Sequence, residues 1–243
     1  MTIATGAFLN AIGILIGALF GLAWRRPISA RTQFFFRNAL GALAIFFALR
    51  LVWLGVSGTL TSCLKQIFLA LLALVLGNLL GKLLALQKIS NRLGRFAGNL
   101  IANTQTNSSR KAATGFNACA ILFCAAPLGI LGAVTDGLSG YFYFLAVKTV
   151  MDGLAMTSFV KMFGWFSALS AFPVFIFLGA ITFAVQFYAK PFFDSHNLVD
   201  SVSAAAGFIA LAVALVIFET RKVELANYLP ALAVAPLLAW LFK

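Results

Sequence analysis

Apolar residues fill this chain in runs of about 20 residues, and short polar stretches rich in Arg and Lys divide them. A helix of that length covers the hydrocarbon core of a bilayer. The pattern predicts eight such helices, over roughly 5–24, 36–55, 61–86, 113–134, 141–161, 166–188, 200–218 and 226–242. The last is short and carries Pro230 and Pro236, so it is expected to be broken or tilted. A spanning β-barrel needs alternating strands, and the sequence lacks that alternation. The fold class is therefore all-α, a polytopic transmembrane helical bundle forming one integral membrane domain over 1–243.

Composition strengthens this reading. Hydrophobic residues make up 62% and charged residues 10%, against about 25% charged in soluble domains. The net charge of +12 would suit nucleic acid, but its placement argues against that partner. The first loop holds Arg25, Arg26, Arg31 and Arg37, and the third holds Lys88, Arg92, Arg95, Arg110 and Lys111. Lys161 falls in the fifth loop, and Arg221 and Lys222 in the seventh. The alternate loops carry only Lys190, and the C-terminus carries Lys243. That bias puts the odd loops in the cytoplasm and both termini outside, in a cell inner membrane. The first apolar run has its charges after it, so it reads as a retained helix and not a signal peptide.

Residues 87–102 place Ile89, Leu93, Phe96 and Leu100 on one helical face, with Lys88, Arg92 and Arg95 mostly elsewhere. This predicts an amphipathic helix on the inner membrane surface, drawn to anionic lipid; the alternative is an extension of the third span. Residues 103–112 read as a polar cytoplasmic loop. Its Asn107-Ser108-Ser109 fits a glycosylation pattern that an inside location would leave unmodified.

Lys148 and Asp152 carry the strongest chemical signal. They are charges four residues apart inside an apolar span, in a chain with six acidic residues. At that spacing both lie on one helical face. Intramembrane charges are costly and usually mark a pathway or relay. Burial favours a neutral carboxyl and a nearby cation favours the charged form, a competition suited to proton or ion exchange. The alternative is a static pair locking helices together.

Asn10, Gly13, Gly17 and Gly21 share a face of the first span, and Gly77 and Gly81 repeat the spacing in the third. Such glycines let helices pack closely. Asn10 then either bonds a neighbouring helix or contacts a ligand. Pro127, Gly129 and Gly132 interrupt the fourth span, with Asn117 before the break and Asp136 near the outer end. Transporter sites are often built at broken helices, though a plain proline kink gives the same signal. Pro173 and Gly179 suggest a second irregular helix. Asp200 and Ser201 resemble an N-cap of the seventh span, and His196 falls in an outer loop with Asp194. Cys63, Cys119 and Cys124 have no metal or redox spacing, so no cofactor or metal is expected. No nucleotide loop, zinc motif or nucleophile elbow is present, and no enzymatic role is expected.

Three stretches together carry a resemblance: GAFLNAIGILIGALFG at 6–21, LFCAAPLGILGAVTDGLSG with KTVMDGLAM at 122–156, and NYLPALAVAPLL at 227–238. With them the chain resembles the YdfK/YqgA family of uncharacterised prokaryotic membrane proteins, domain of unknown function 554. Asn10, Cys124, Pro127, Gly129, Gly132, Asp136, Gly137, Gly140, Lys148, Asp152 and Gly153 fall on that family's pattern. Lys82 stands where the family tends to have an acid, Ala126 where it has glycine, Leu178 where it has glutamine, and Ala206-Gly207 where it has two glycines. The resemblance implies a fold and site positions, and brings no activity.

The expected function is transport of a small solute or ion, with spans one, four, five and six lining the path. Asp152 would couple the ion and Lys148 would partner it. Asn10, Asn117 and the Pro127–Gly132 break would supply polar contacts, with Asp136 a further ligand candidate. The alternative is a non-transporting membrane partner whose glycine faces mediate assembly, as a homo-oligomer for instance.

Overall fold

The computed structural model describes residues 4–24, 28–102 and 108–242. Arg25, Arg26, Lys243 and positions 103–107 of the expected polar loop lie outside them. The first span is α1 (Thr5–Ala23). The second, α2 (Ala30–Leu54), starts six residues before the expected boundary because the Ser29 hydroxyl caps it, accepting from the Thr32 amide at 3.2 Å. Arg31 and Arg37 are therefore helical and not loop residues. The third span, α3 (Leu60–Leu83), is capped in the same way by Thr59.

Ala85 then adopts a left-handed backbone, φ 53°, and the chain leaves α3 for a separate helix, α4 (Leu86–Ala102). Ile89, Leu93 and Phe96 are exposed along it. The fourth span begins at Ser108, so the end of the expected 103–112 loop is helical. It is split into α5 (Ser108–Ala125) and α6 (Pro127–Ser139), which meet at 58°. Pro127 has no amide hydrogen and disfavours a helical residue before it. Ala126 is accordingly extended, and Pro127 opens α6 as its first residue.

The fifth span is α7 (Tyr143–Phe163). The sixth runs as one long helical path, Trp165–His196. It comprises a 3-10 stretch, then α8 (Ala171–Ala184), a π-helical turn over Val185–Ala189 and α9 (Lys190–His196). Irregularity flanks α8 on both sides, in the 3-10 stretch Trp165–Ser170 and in this turn, while Pro173 itself occupies the first turn of α8. His196 ends a helix and does not sit in a loop. The seventh span is α10 (Val199–Ile217); Leu198 precedes it, which puts Asp200 in its first turn and not at its N-cap. A 3-10 turn, Leu225–Tyr228, leads into the short final helix α11 (Ala231–Leu241).

Among the described residues six helices are long and apolar enough to cross a membrane, and the bent α5–α6 pair makes a seventh. The expected eighth segment, Leu225–Leu241, is shorter and apolar. The packing shows three tight pairs: α1 with α7, α2 with α10 and α3 with α11. Gly41 of α2 meets Phe218 and Gly55 meets Asp200, so α2 and α10 run antiparallel. Gly77 meets Ala231 and Gly81 meets Asn227, so α3 and α11 are antiparallel too. Gly13 meets Thr149 and Gly21 meets Thr157, which makes α1 and α7 parallel. These relative directions are the ones eight alternating crossings require.

Candidate functional site

The polar centre forms where α1 and α7 meet the break between α5 and α6. Glycine determines how near α1 comes. A Cβ on Gly13 would lie 2.8 Å from the Thr149 carbonyl oxygen, and one on Gly21 would lie 2.6 Å from that of Thr157. A Cβ on Gly17 would strike the Gly153 backbone. The two backbones therefore touch, as small residues permit. Asn10, on the same face of α1, is carried into the interior with no exposed surface.

There the Asn10 amide Nδ2 donates to Asp152 Oδ2 at 3.0 Å. Lys148 Nζ donates to the same oxygen. Lys148 retains 1% exposure and Asp152 7%, so the pair is withdrawn from solvent. The lysine stem passes over Gly129 in the first turn of α6, where a Cβ would stand 2.8 Å from Lys148 Cε. Glycine there makes room for the stem. The ammonium also lies 5.7 Å above the Phe123 ring centre at the end of α5, a cation–π distance. Leu178 of α8 closes the far side, with its Cδ2 3.2 Å from the same Cβ position. Spans one, four, five and six thus gather around the pair.

The centre is incompletely satisfied. One oxygen of Asp152 takes both donors, and Asn10 Oδ1 is buried with no hydrogen-bond partner. An orphaned buried acceptor costs about 1–3 kcal/mol. The arrangement offers a free amide oxygen beside a carboxylate, which suits a proton donor or a small cation.

Asp136 occupies a different place. Its Oδ2 accepts from the Gly6 amide at 3.0 Å, and Gly6 lies in the first turn of α1. The carboxylate caps that helix across space, where negative charge is favoured. Gly6 and Asn10 are one turn apart, so α1 ties to both buried carboxylates. Gly132 packs on Leu145, 2.7 Å from its Cγ to a built Cβ. Asn117 does not join the site. It is exposed on α5, seven residues before Cys124, which is about 10 Å along the helix. Tyr141 precedes α7 and donates to the Phe47 carbonyl of α2 at 2.6 Å. Gly77 faces Ala231 of α11, and Gly81 faces Asn227 in the 3-10 turn that leads into α11.

Two cavities flank the break, and Pro127 borders both. One, of about 560 Å³, lies between α2, the break, α7 and α10. Sequence reasoning placed neither α2 nor α10 beside a cavity. Arg37 and Glu219 pair at its rim, 182 residues apart, and only that separation hid them. The other, of about 360 Å³, is almost wholly apolar and runs between α4 and Cys124. Groups of three or more His, Cys, Asp or Glu able to hold a metal are absent among the described residues.

Residues 5–240 match the family model described as protein of unknown function (DUF554), and the chain belongs to that family. It is 24% identical over 231 residues to the uncharacterized membrane protein YdfK of Bacillus subtilis (strain 168), covering 95% of this chain and 93% of that one. It is 25% identical over 231 residues to the uncharacterized protein YqgA of Escherichia coli (strain K12), covering 95% and 94%. No solved structure matches the chain.

Proposed function

We propose that this family member is a transporter of a small solute or ion in a prokaryotic inner membrane, with both termini outside. Asp152 is the coupling residue, Lys148 its counter-charge and Asn10 the amide that holds it. The observation that carries the reading is the buried Asn10–Asp152–Lys148 cluster at a broken helix, with one acceptor left open. Purely structural ion pairs gain stability only when their remaining hydrogen-bonding capacity is also met. Here it is not, and unsatisfied groups at a helix break are the usual form of a transport site. The orientation rests on the basic residues of the odd loops. The protein moves its solute without chemical turnover.

The test compares wild type with Asp152→Asn. Thermal unfolding is followed across sodium, pH, amino acids and carboxylates, and uptake is measured in proteoliposomes. A ligand that binds only the folded state raises stability by RT ln(1 + [L]/Kd). The expected result is a ligand shift and uptake in wild type, with uptake lost in a variant that still folds. A variant that unfolds on extraction, with no ligand shift in wild type, would make the pair a structural lock.

A further inference from the structure

The 560 Å³ cavity beside the break has the dimensions of a small-molecule site. Its walls are mostly apolar, with Leu40, Leu154 and Val213 among them. Its polar groups are few: Gln33, Arg37, Ser158 and Glu219. A pocket with an apolar body and a small number of fixed polar groups selects an amphipathic ligand.

Arg37 is the cation of this set, and its guanidinium is only half used. Glu219 engages Nη1. Nε is buried and has no hydrogen-bond partner. The edge formed by Nε and Nη2 is one of the two on which a guanidinium receives a carboxylate bidentately. The Phe34 ring lies 5.2 Å from the guanidinium carbon and steadies it.

Glu219 adds a second indication. It stands just past α10 with φ 57°, a left-handed backbone that glycine adopts more easily. The amide of Thr220 reaches back to the Leu215 carbonyl at 3.1 Å, which fits a helix end of the kind where glycine is favoured. A glutamate at this point works against the backbone preference and places a carboxylate on Arg37. Its side chain is 70% exposed against 32% for Arg37, so the acid is the outer and more movable member.

We infer that this cavity binds a small monocarboxylate with an apolar body, whose carboxylate docks on the part of the Arg37 guanidinium that Glu219, engaged at Nη1, leaves open. The apolar body extends toward Pro127 at the break and toward Leu154, which lies on the helix that carries Asp152. The inference names a solute class for the transport reading and rests on it only for the passage of the bound solute across the membrane.

Equilibrium binding to the full chain in nanodiscs tests it, with pentanoate, hexanoate and benzoate set against their amides. Wild type should bind the acids and bind the amides at least about tenfold more weakly. Arg37→Gln should lose the acids by a similar factor. Arg37→Lys should recover part of the affinity, since charge returns without the fork. Ser158→Phe, which fills the cavity without touching the ion pair, should abolish binding. Glu219→Gly should bind the acids more tightly, because Arg37 loses its competing acid. Equal affinity for acids and amides, or unchanged binding in Arg37→Gln, would overturn the inference, as would absence of acid binding in wild type. Asp152→Asn separates the two readings. Binding retained without uptake supports both, whereas acid binding with no uptake by any variant removes transport and leaves the site.

Discussion

Two of the helix pairs that glycine draws together are finished differently. Between α1 and α7, Gly13, Gly17 and Gly21 bring backbone onto backbone. Between α3 and α11, Gly77 and Gly81 do the same against Ala231 and Asn227. The second contact is closed by polar groups in agreement. Asn227 Oδ1 accepts from the Gln87 amide at 3.1 Å, Gln87 Oε1 accepts from the Ala226 amide at 3.1 Å, and Asn227 Nδ2 donates to Glu224 at 2.7 Å. The first contact instead encloses two charges and leaves Asn10 Oδ1 without a partner. A joint that exists only to hold helices satisfies its polar groups, because an orphan costs more than it contributes. Close packing is common to both pairs, and incomplete satisfaction sets apart the one we propose as the ligand site.

The largest expected effects ignore the difference. Gly17→Leu and Gly81→Leu each drive a side chain into a facing backbone, and each should destabilise by about 3 kcal/mol or more. Size-exclusion profiles after extraction would show aggregated protein for both; a sharp native peak for either would mean that pair is not in backbone contact. Next comes the charged joint alone. Lys148→Met strands Asp152 and should lower stability by about 3–5 kcal/mol, while Lys148→Met with Asp152→Leu should regain most of it and still show no uptake. Uptake by that double variant would refute the coupling role of the pair.

The satisfied joint should respond in stability only. Asn227→Leu leaves the Gln87 amide and Glu224 without their partner and should cost about 1–3 kcal/mol, with uptake per folded molecule unchanged. A comparable loss of uptake would erase the contrast between the two joints. The smallest effect belongs to Asp136→Asn, which keeps an acceptor for Gly6 but removes the charge at the start of α1. A loss of about 1 kcal/mol is expected in thermal unfolding. A much greater loss would show that Asp136 does more than cap.

The positions of the spans were legible because each depends on composition within one run of residues. The break at Pro127 was legible for a similar reason, since proline acts on its own backbone and its neighbour's. Some local readings still failed. Ser29 capped α2 early and moved Arg31 and Arg37 into the helix, a signal that was present in the sequence and passed over. Asn117 had the right residue type in the right span, but lies too far along α5 to reach the pair.

The helical membrane class, the apolar spans, the glycine faces and the Lys148–Asp152 spacing are all written locally along the chain. Each follows from neighbours within a few turns, where helix geometry allows few alternatives. Which faces meet is settled by helix packing. Asn10 finds Asp152 across 142 residues, Gly6 finds Asp136 across 130 and Arg37 finds Glu219 across 182. An apolar helix can turn any side toward its neighbours until packing chooses one, so the partners of a buried polar group stay open until the helices have closed around it.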